Sequence, residues 1–285
     1  LLAPPLRRAL ARLEAAREAV PLEELAQRLL ALTGLPERGL ARRLLASALG
    51  CPADLLPDAV EVGALPRLAA GAAADVPLEA AGWVVVDLET TGLSAEDCTI
   101  LEIGAVRVDG LRVVDRFQTL VDPAVAIPAR ISALTGIDRS LVDGAPRLAR
   151  AIDAFRRWVG EGPATIFVAH NATFDERFVR RALAEHDLPP WPGPVLCTRR
   201  LARRLLPDLA RYDLDTLSAH FGIGNAARHR ALGDAEAAAR ALLELVALAQ
   251  ADHGLERVGD LIALQHARPP GRRRRPRPRA ARAEA

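Results

Sequence analysis

The stretch Val84-Val85-Val86-Asp87-Leu88-Glu89-Thr90-Thr91-Gly92-Leu93 decides how the chain is read. Three consecutive β-branched residues mark a strand buried on both faces. That strand then delivers two carboxylates one residue apart and breaks at a glycine. Side chains alternate along a strand, so Asp87 and Glu89 point to the same face. Like charges side by side at the end of a buried strand repel each other, and a cation between them would remove that repulsion.

The β pattern starts at Trp83, and a strand over 83–88 is followed by a second over Ile100–Val108. Asp109-Gly110 is a hairpin signal, so a third strand over Arg112–Val121 should pair back on the second. A helix is expected over 147–159, and the run 164–170 reads as a fourth buried strand. Helices are expected near 174–187, 198–206 and 214–221, over 234–249 and near 255–266. Antiparallel strands followed by alternating helices and strands make a mixed α/β domain.

Residues 1–65 read as a small helical domain. Leu6, Leu10 and Leu13 recur at helical spacing. Pro21 suits a first helical turn before Leu22, Leu25, Leu29 and Leu30. A third helix carries Leu40, Leu44, Leu45 and Leu49 and stops at Gly50, and a short strand is expected around Val60–Leu65. Three helices and a strand suit either a winged-helix-like module or an ordinary helical packing unit. Residues 66–81 are rich in alanine and proline without an apolar stripe, and read as a linker.

Composition narrows the class. The chain has 285 residues, half of them apolar, enough for a sizeable core. No apolar run reaches membrane-spanning length and no basic-then-apolar signal segment opens the chain, so a cytoplasmic protein with no membrane partner is expected. Cys51, Cys98 and Cys197 are far apart and lack metal-ligand spacing, as in reduced residues of a cytosolic protein. The formal charge of +2 hides a split: residues 268–285 hold eight arginines and one glutamate, which leaves −5 for the rest. That proline-interrupted tail has no apolar face and is expected to be disordered, after a helical extension over 251–267.

Further chemistry-bearing groups follow the opening pair. The fourth strand runs into His170-Asn171-Ala172-Thr173-Phe174-Asp175, where an acid starts a helix. Farther on, His229 lies in a loop and Asp234 opens an alanine-rich helix. Singly, Asp175 and Asp234 suit the macrodipole of a helix start. The combination is a strand with Asp-x-Glu-Thr-x-Gly, a strand ending in His-Asn-Ala-x-Phe-Asp, and His-x-x-x-x-Asp on a helix, in that order.

In these motifs, residues 82–250 resemble the DnaQ-like 3′→5′ exonucleases of the DEDDh group, which includes the epsilon proofreading subunits of bacterial DNA polymerase III and ribonuclease T. The segments that carry the resemblance are 87–93, 170–178 and 229–235, and Leu134-Thr135-Gly136-Ile137 also fits. The resemblance implies a ribonuclease-H-like fold, a five-stranded mixed sheet with flanking helices. It implies hydrolysis with two magnesium ions, manganese substituting, held by oxygen ligands. Asp87 would bridge both ions, Glu89 and Asp234 would complete one, and Asp175 would act through a ligand bond or a bound water. His229 would be the general base, and the reference imidazole pKa of about 6.5 suits that role. The backbone at Thr90, Thr91 and Gly92 would contact the terminal nucleotide, Leu93 would meet its base, and His170 and Asn171 would shape the pocket. Arg228 and Arg230 would touch phosphate or be solvated.

The implied partners are single-stranded or frayed 3′ ends, with DNA favoured, and a polymerase or repair protein. RNA 3′-end trimming and a non-enzymatic nucleic-acid adaptor are the alternatives. The intact acidic set speaks against the adaptor, because a pure binding module gains from losing negative charge near phosphate. The arginine tail would add electrostatic hold on a polyanion.

Overall fold

The structure is a computed structural model that describes residues 19–30, 34–49, 59–61, 73–160, 165–191 and 193–267. Its centre is a five-stranded mixed sheet, as the resemblance implies. The strands are β3 (Gly82–Thr90), β4 (Ile100–Asp109), β5 (Arg112–Leu120), β6 (Thr165–Ala169) and β7 (Val195–Cys197), in the order β5-β4-β3-β6-β7. β3, β4 and β5 pair antiparallel, whereas β6 runs parallel to β3 and β7 parallel to β6. The hairpin between β4 and β5 turns on Gly110 and Leu111, both at positive φ, with Asp109 opposite Arg112. Positive φ at both central residues matches the right-handed twist of the flanking strands.

Alternation along β3 builds a core on each face. Trp83 and Val85 pack with Val106, Val108, Ile166 and Val168 beneath α9 (Ala231–His253). Val84, Val86 and Leu88 face the opposite way, toward α5 (Leu148–Val159) and α6 (Thr173–Glu185). The short α3 (Ala129–Thr135) and α4 (Arg139–Val142) lie between β5 and α5. Following β7 come α7 (Thr198–Leu205), α8 (Leu214–Phe221), α9 and α10 (Val258–His266). Buried alanines along α9, among them Ala235, Ala238, Ala239 and Ala241, let it lie close on the sheet.

Several expectations change. Residues 73–81 are not a linker: Ala73, Leu78 and Ala81 are fully buried in the core under α9. Backbone bonds Val258 N–H to Val76 O and Gly259 N–H to Ala74 O, at 3.0 and 2.9 Å, tie this segment to the start of α10. A Cβ on Gly259 would sit 2.8 Å from Ala74 O, so glycine permits the contact. The stretch carries no periodic stripe because small residues and backbone pairing, not an amphipathic face, dock it. Residues 66–72 of the expected linker lie outside the described residues. The long helix also outruns its expected end at 249, reaching Gly254, whose φ of 62° supplies a left-handed stop.

In the N-terminal part, α1 (Leu22–Leu30) and α2 (Arg38–Leu49) match the expected second and third helices. A two-stranded antiparallel ribbon joins β1 (Ala19–Pro21) to β2 (Ala59–Glu61). The expected first helix, Cys51 and the tail lie outside the described residues. Among the described residues, no helix is long and apolar enough to cross a membrane.

Candidate active site

The site forms where the carboxyl ends of β3 and β6 meet the start of α9. Asp87 and Glu89 occupy the same face of β3 as Val85, so both project toward α9. From that helix, Asp234 meets them: ligand oxygens of Asp87, Glu89 and Asp234 all lie within 4.8 Å of one another. Asp175, in the first turn of α6, is buried beside this trio and outside that ligand-atom group. Its carboxylate is hydrogen-bonded by its own backbone and by that of Leu88.

The electrostatics fit a cation. Burial, then the charges of Asp175, Asp234 and Glu89, push Asp87 well above the usual carboxylate range. Burial, then Asp234 and Glu102, push Glu89 up to about 7. Burial also raises Asp175 and Asp234. Carboxylates held this close without a counter-charge resist ionisation. An all-oxygen donor set suits a hard divalent ion. The residues present therefore fit a metal site formed by Asp87, Glu89 and Asp234.

How α9 is held in place was not legible from motifs. Glu102, directly across from Glu89 in the β3–β4 ladder, is fully buried. It accepts hydrogen bonds from Arg230 Nη2 at 2.8 Å, Arg230 Nε at 3.1 Å, Ala231 N–H at 3.0 Å and Gln118 Nε2 at 2.7 Å. Burial alone would raise Glu102, but these bonds hold it below the usual glutamate value. Two residues on, Gly104 lies opposite Asp87, and a Cβ there would sit 2.1 Å from the carbonyl carbon of Ala231. The helix start thus rests on the bare β4 backbone and is fastened by one carboxylate. The available signal was a lone glutamate and a glycine inside the apolar run Ile100-Leu101-Glu102-Ile103-Gly104.

His229 precedes α9 with a φ of 60°, a left-handed conformation uncommon outside glycine. Its backbone N–H donates to Asp234 Oδ2 at 3.1 Å, and Asn225 Nδ2 donates to Asp234 Oδ1. Arg228 pairs with Asp215 and Arg230 with Glu102, so both arginines expected near phosphate already have carboxylate partners.

The expected substrate residues divide. Thr90 and Thr91 are buried; Thr90 Oγ1 donates to Gly92 O at 2.6 Å, and Thr91 Oγ1 accepts from Thr99 N–H at 3.0 Å. Gly92 packs where a Cβ would lie 2.6 Å from Cys98 Sγ. That tight turn thrusts Leu93 outward, 86% exposed. Asn171 is exposed with a φ of 75°, and its carbonyl accepts from Phe174 N–H. The His170 ring, expected to shape the pocket, has both nitrogens engaged, Nδ1 with Thr198 Oγ1 and Nε2 with Tyr212 O, each at 3.0 Å. It joins β6 to the α7 and α8 region, and burial depresses its pKa to about 4.

This geometry has known counterparts. The sequence model of the RNase_T family, described as Exonuclease, matches residues 84–242. The chain belongs to this exonuclease family. It is 33% identical over 183 residues to the DNA polymerase III subunit epsilon of Aquifex aeolicus, covering 64% of this chain and 88% of that protein. It is 39% identical over 197 residues to a PolC-type DNA polymerase III of Oceanobacillus iheyensis, where the match spans 69% of this chain but only 13% of the polymerase. Among solved structures, Exonuclease X in complex with 5′ overhanging duplex DNA shares 27% identity at a TM-score of 0.51, over 65% of this chain and 99% of that one. E. coli Exonuclease I in complex with a dT13 oligonucleotide shares the fold, with 17% identity and a TM-score of 0.52 over 60% of this chain and 41% of that one. The five-stranded mixed sheet with flanking helices is the ribonuclease-H-like arrangement of this exonuclease family.

Proposed function

We propose that the protein is a metal-dependent 3′→5′ exonuclease that releases 5′-mononucleotides from DNA ends. The observation that carries this reading is the meeting of Asp87, Glu89 and Asp234 within 4.8 Å, from a strand and a helix far apart in sequence. The likeness to a polymerase III epsilon subunit and to Exonuclease X bound to DNA supports DNA as substrate. The likeness to a replicative subunit and to one segment of a PolC-type polymerase supports work beside a polymerase or in repair.

In this reading Asp87, Glu89 and Asp234 would hold two divalent cations, magnesium by preference with manganese substituting, and Asp175 would act through a ligand bond or a bound water. When bound, such ions lower the pKa of a water and stabilise the charge on the leaving oxygen. The exposed Leu93 abuts the terminal base, and the turn at Thr90–Gly92 bounds the 3′ nucleotide. His229, held beside Asp234, takes the proton of the attacking water. The new bond joins that oxygen to phosphorus, the bond from phosphorus to the 3′ oxygen of the preceding nucleotide breaks, and that oxygen takes up a proton. A mononucleotide with a 5′-phosphate leaves, and the strand keeps a fresh 3′-hydroxyl.

The test is hydrolysis of end-labelled DNA and RNA oligonucleotides with magnesium, manganese or chelator. Stepwise shortening from a free 3′ end of DNA, lost with chelator or a 3′ block, is the expected result. Faster shortening of RNA would move the substrate to RNA ends, and rapid cutting of a closed single-stranded circle would overturn the exonuclease reading.

A further inference from the structure

We propose that the arginine face of α7 is a phosphate-binding surface for the strand whose 3′ end enters the active site, an inference that rests on the exonuclease reading above. The helix has the sequence Thr198-Arg199-Arg200-Leu201-Ala202-Arg203-Arg204-Leu205. Leu201 and Ala202 are fully buried, and the four arginines lie off that buried stripe, Arg203 exposed and the other three half-buried. They form two rows at i, i+4 spacing, Arg199 with Arg203 and Arg200 with Arg204.

The first row lies toward His170 and Tyr212. Thr198, which starts the helix, is bonded to His170, and His170 is bonded to the carbonyl of Tyr212. Arg203 lies over the Tyr212 ring, its guanidinium carbon 5.6 Å from the centroid. Arg199 Nε is buried and has no hydrogen-bond partner. An arginine nitrogen so placed lacks the acceptor such donors need.

The second row faces the end of α10. Arg204 donates from Nε and Nη2 to Ala267 O at 3.0 and 2.8 Å. Ala267 is the last described residue, and the eight-arginine sequence begins immediately after it.

Like charges packed together without counter-charges are unfavourable. Nearby arginines avoid this: Arg211 pairs with Asp213, Arg228 with Asp215 and Arg230 with Glu102. Among the described residues, no carboxylate pairs with Arg199, Arg200 or Arg203. Burial, then the charges of Arg200 and Arg203, lower the Arg204 guanidinium. A polyanion laid over the helix answers the repulsion. Cations held by Asp87, Glu89 and Asp234 would act only at the scissile phosphate, so the rest of the strand needs such a surface. Arginine's forked donors suit phosphate oxygens.

The experiment compares the full chain, the triple variant Arg199→Gln/Arg200→Gln/Arg203→Gln, the corresponding Lys variant, and a chain ending at Ala267. Arg204 is left intact because it anchors Ala267. The readouts are affinity for a single strand of about twenty nucleotides across a salt series, and turnover of a dinucleotide. Each lost phosphate contact lowers the salt slope by about 0.7 for single strands, so the Gln variant should lose about 2 and bind roughly tenfold or more weakly at low salt. The Lys variant should keep most of the slope, because charge is retained. Dinucleotide turnover should be equal in all four proteins, since none of the substituted residues is among the acids or His229 that the exonuclease reading places at the scissile phosphate. An unchanged slope in the Gln variant, with the full chain still degrading the strand, would overturn the surface alone. A full chain that degrades no nucleic acid would overturn the exonuclease reading and the surface with it.

Discussion

Glu89 and Glu102 face each other across the β3–β4 ladder in opposite electrostatic states. Glu89 is pushed up to about 7 by burial and by neighbouring carboxylates. Glu102, more deeply buried, is held low by Arg230, the Ala231 N–H and Gln118. One pair position thus provides a repelled carboxylate that welcomes a cation and a satisfied one that fixes the helix carrying Asp234.

The first prediction concerns stability without metal. Glu89 has a folded pKa above its unfolded value, so the folded state binds more protons. Its relative stabilisation is fully present at acid pH and is lost as pH rises through about 7. Asp87 and Asp175 are raised too and act in the same direction. His170 is depressed to about 4, so its contribution is full above the reference value of about 6.5 and is lost as pH falls through about 4. The melting temperature in chelator should therefore fall between about pH 6.5 and 8, where the raised carboxylates dominate. Magnesium should restore it, and Asp87→Asn should flatten the alkaline fall. A flat alkaline limb in the unsubstituted protein would show that the acidic cluster is not under strain.

The second prediction tests Glu102 as a positioning residue. Glu102→Gln keeps the volume but leaves Arg230 without its buried counter-charge. Arg230 is about one-third exposed, so water offsets part of the loss, and the expected cost is about 2–3 kcal/mol. With α9 less firmly seated, kcat should fall while KM for a dinucleotide changes little. The double variant Glu102→Gln/Arg230→Gln should recover part of the stability, because no unpaired charge remains. If kcat stays at the level of the unsubstituted protein, the helix start is held by other contacts.

Gly104 gives the third. A methyl group there would sit 2.1 Å from the carbonyl carbon of Ala231 and 2.2 Å from Leu232 N, both backbone atoms that cannot rotate away. Gly104→Ala should force α9 off the sheet and separate Asp234 from Asp87. Loss of calorimetric cation binding and a melting temperature lower by more than about 5 °C, the shift expected for a loss of 1–2 kcal/mol, are the outcomes to look for. Unimpaired cation binding would mean the helix has room to shift without moving Asp234.

These cases mark how far the sequence could be read. The period-2 alternation of β3 placed Asp87 and Glu89 on one face, and a helix starting near Asp234 was visible from its alanine pattern. Both are local signals. Glu102 and Gly104 act on a helix more than 120 residues away, and a local pattern does not carry such a partner. β7 leaves no periodic signal in the sequence because its three residues, Val195–Cys197, are too few to show one. The segment over 73–81 lacks a sequence signal for packing because its burial comes from small residues and from backbone pairing with the start of α10. The motif implies that His170 shapes the pocket; the bonds of its ring nitrogens to Thr198 and Tyr212 are contacts that only the fold assembles.

The last prediction separates base from ligand at His229. The His229 side chain is not among the three carboxylates that converge, and its link to Asp234 runs through the backbone N–H. Removing the imidazole should therefore leave cation binding intact while removing the proton acceptor. Alanine is a poor choice alone, because the φ of 60° at this position disfavours it and a shifted loop would confuse the result. His229→Asn tolerates the left-handed conformation, keeps the backbone N–H and lacks a base of suitable pKa. Its turnover should fall roughly 10²–10⁴-fold, the usual worth of a positioned general base. Calorimetric affinity for manganese should match that of the unsubstituted protein, whereas Asp234→Asn should lose it. An Asn variant that loses manganese as Asp234→Asn does would make His229 part of the metal site, and one that keeps full turnover would assign proton removal to another group.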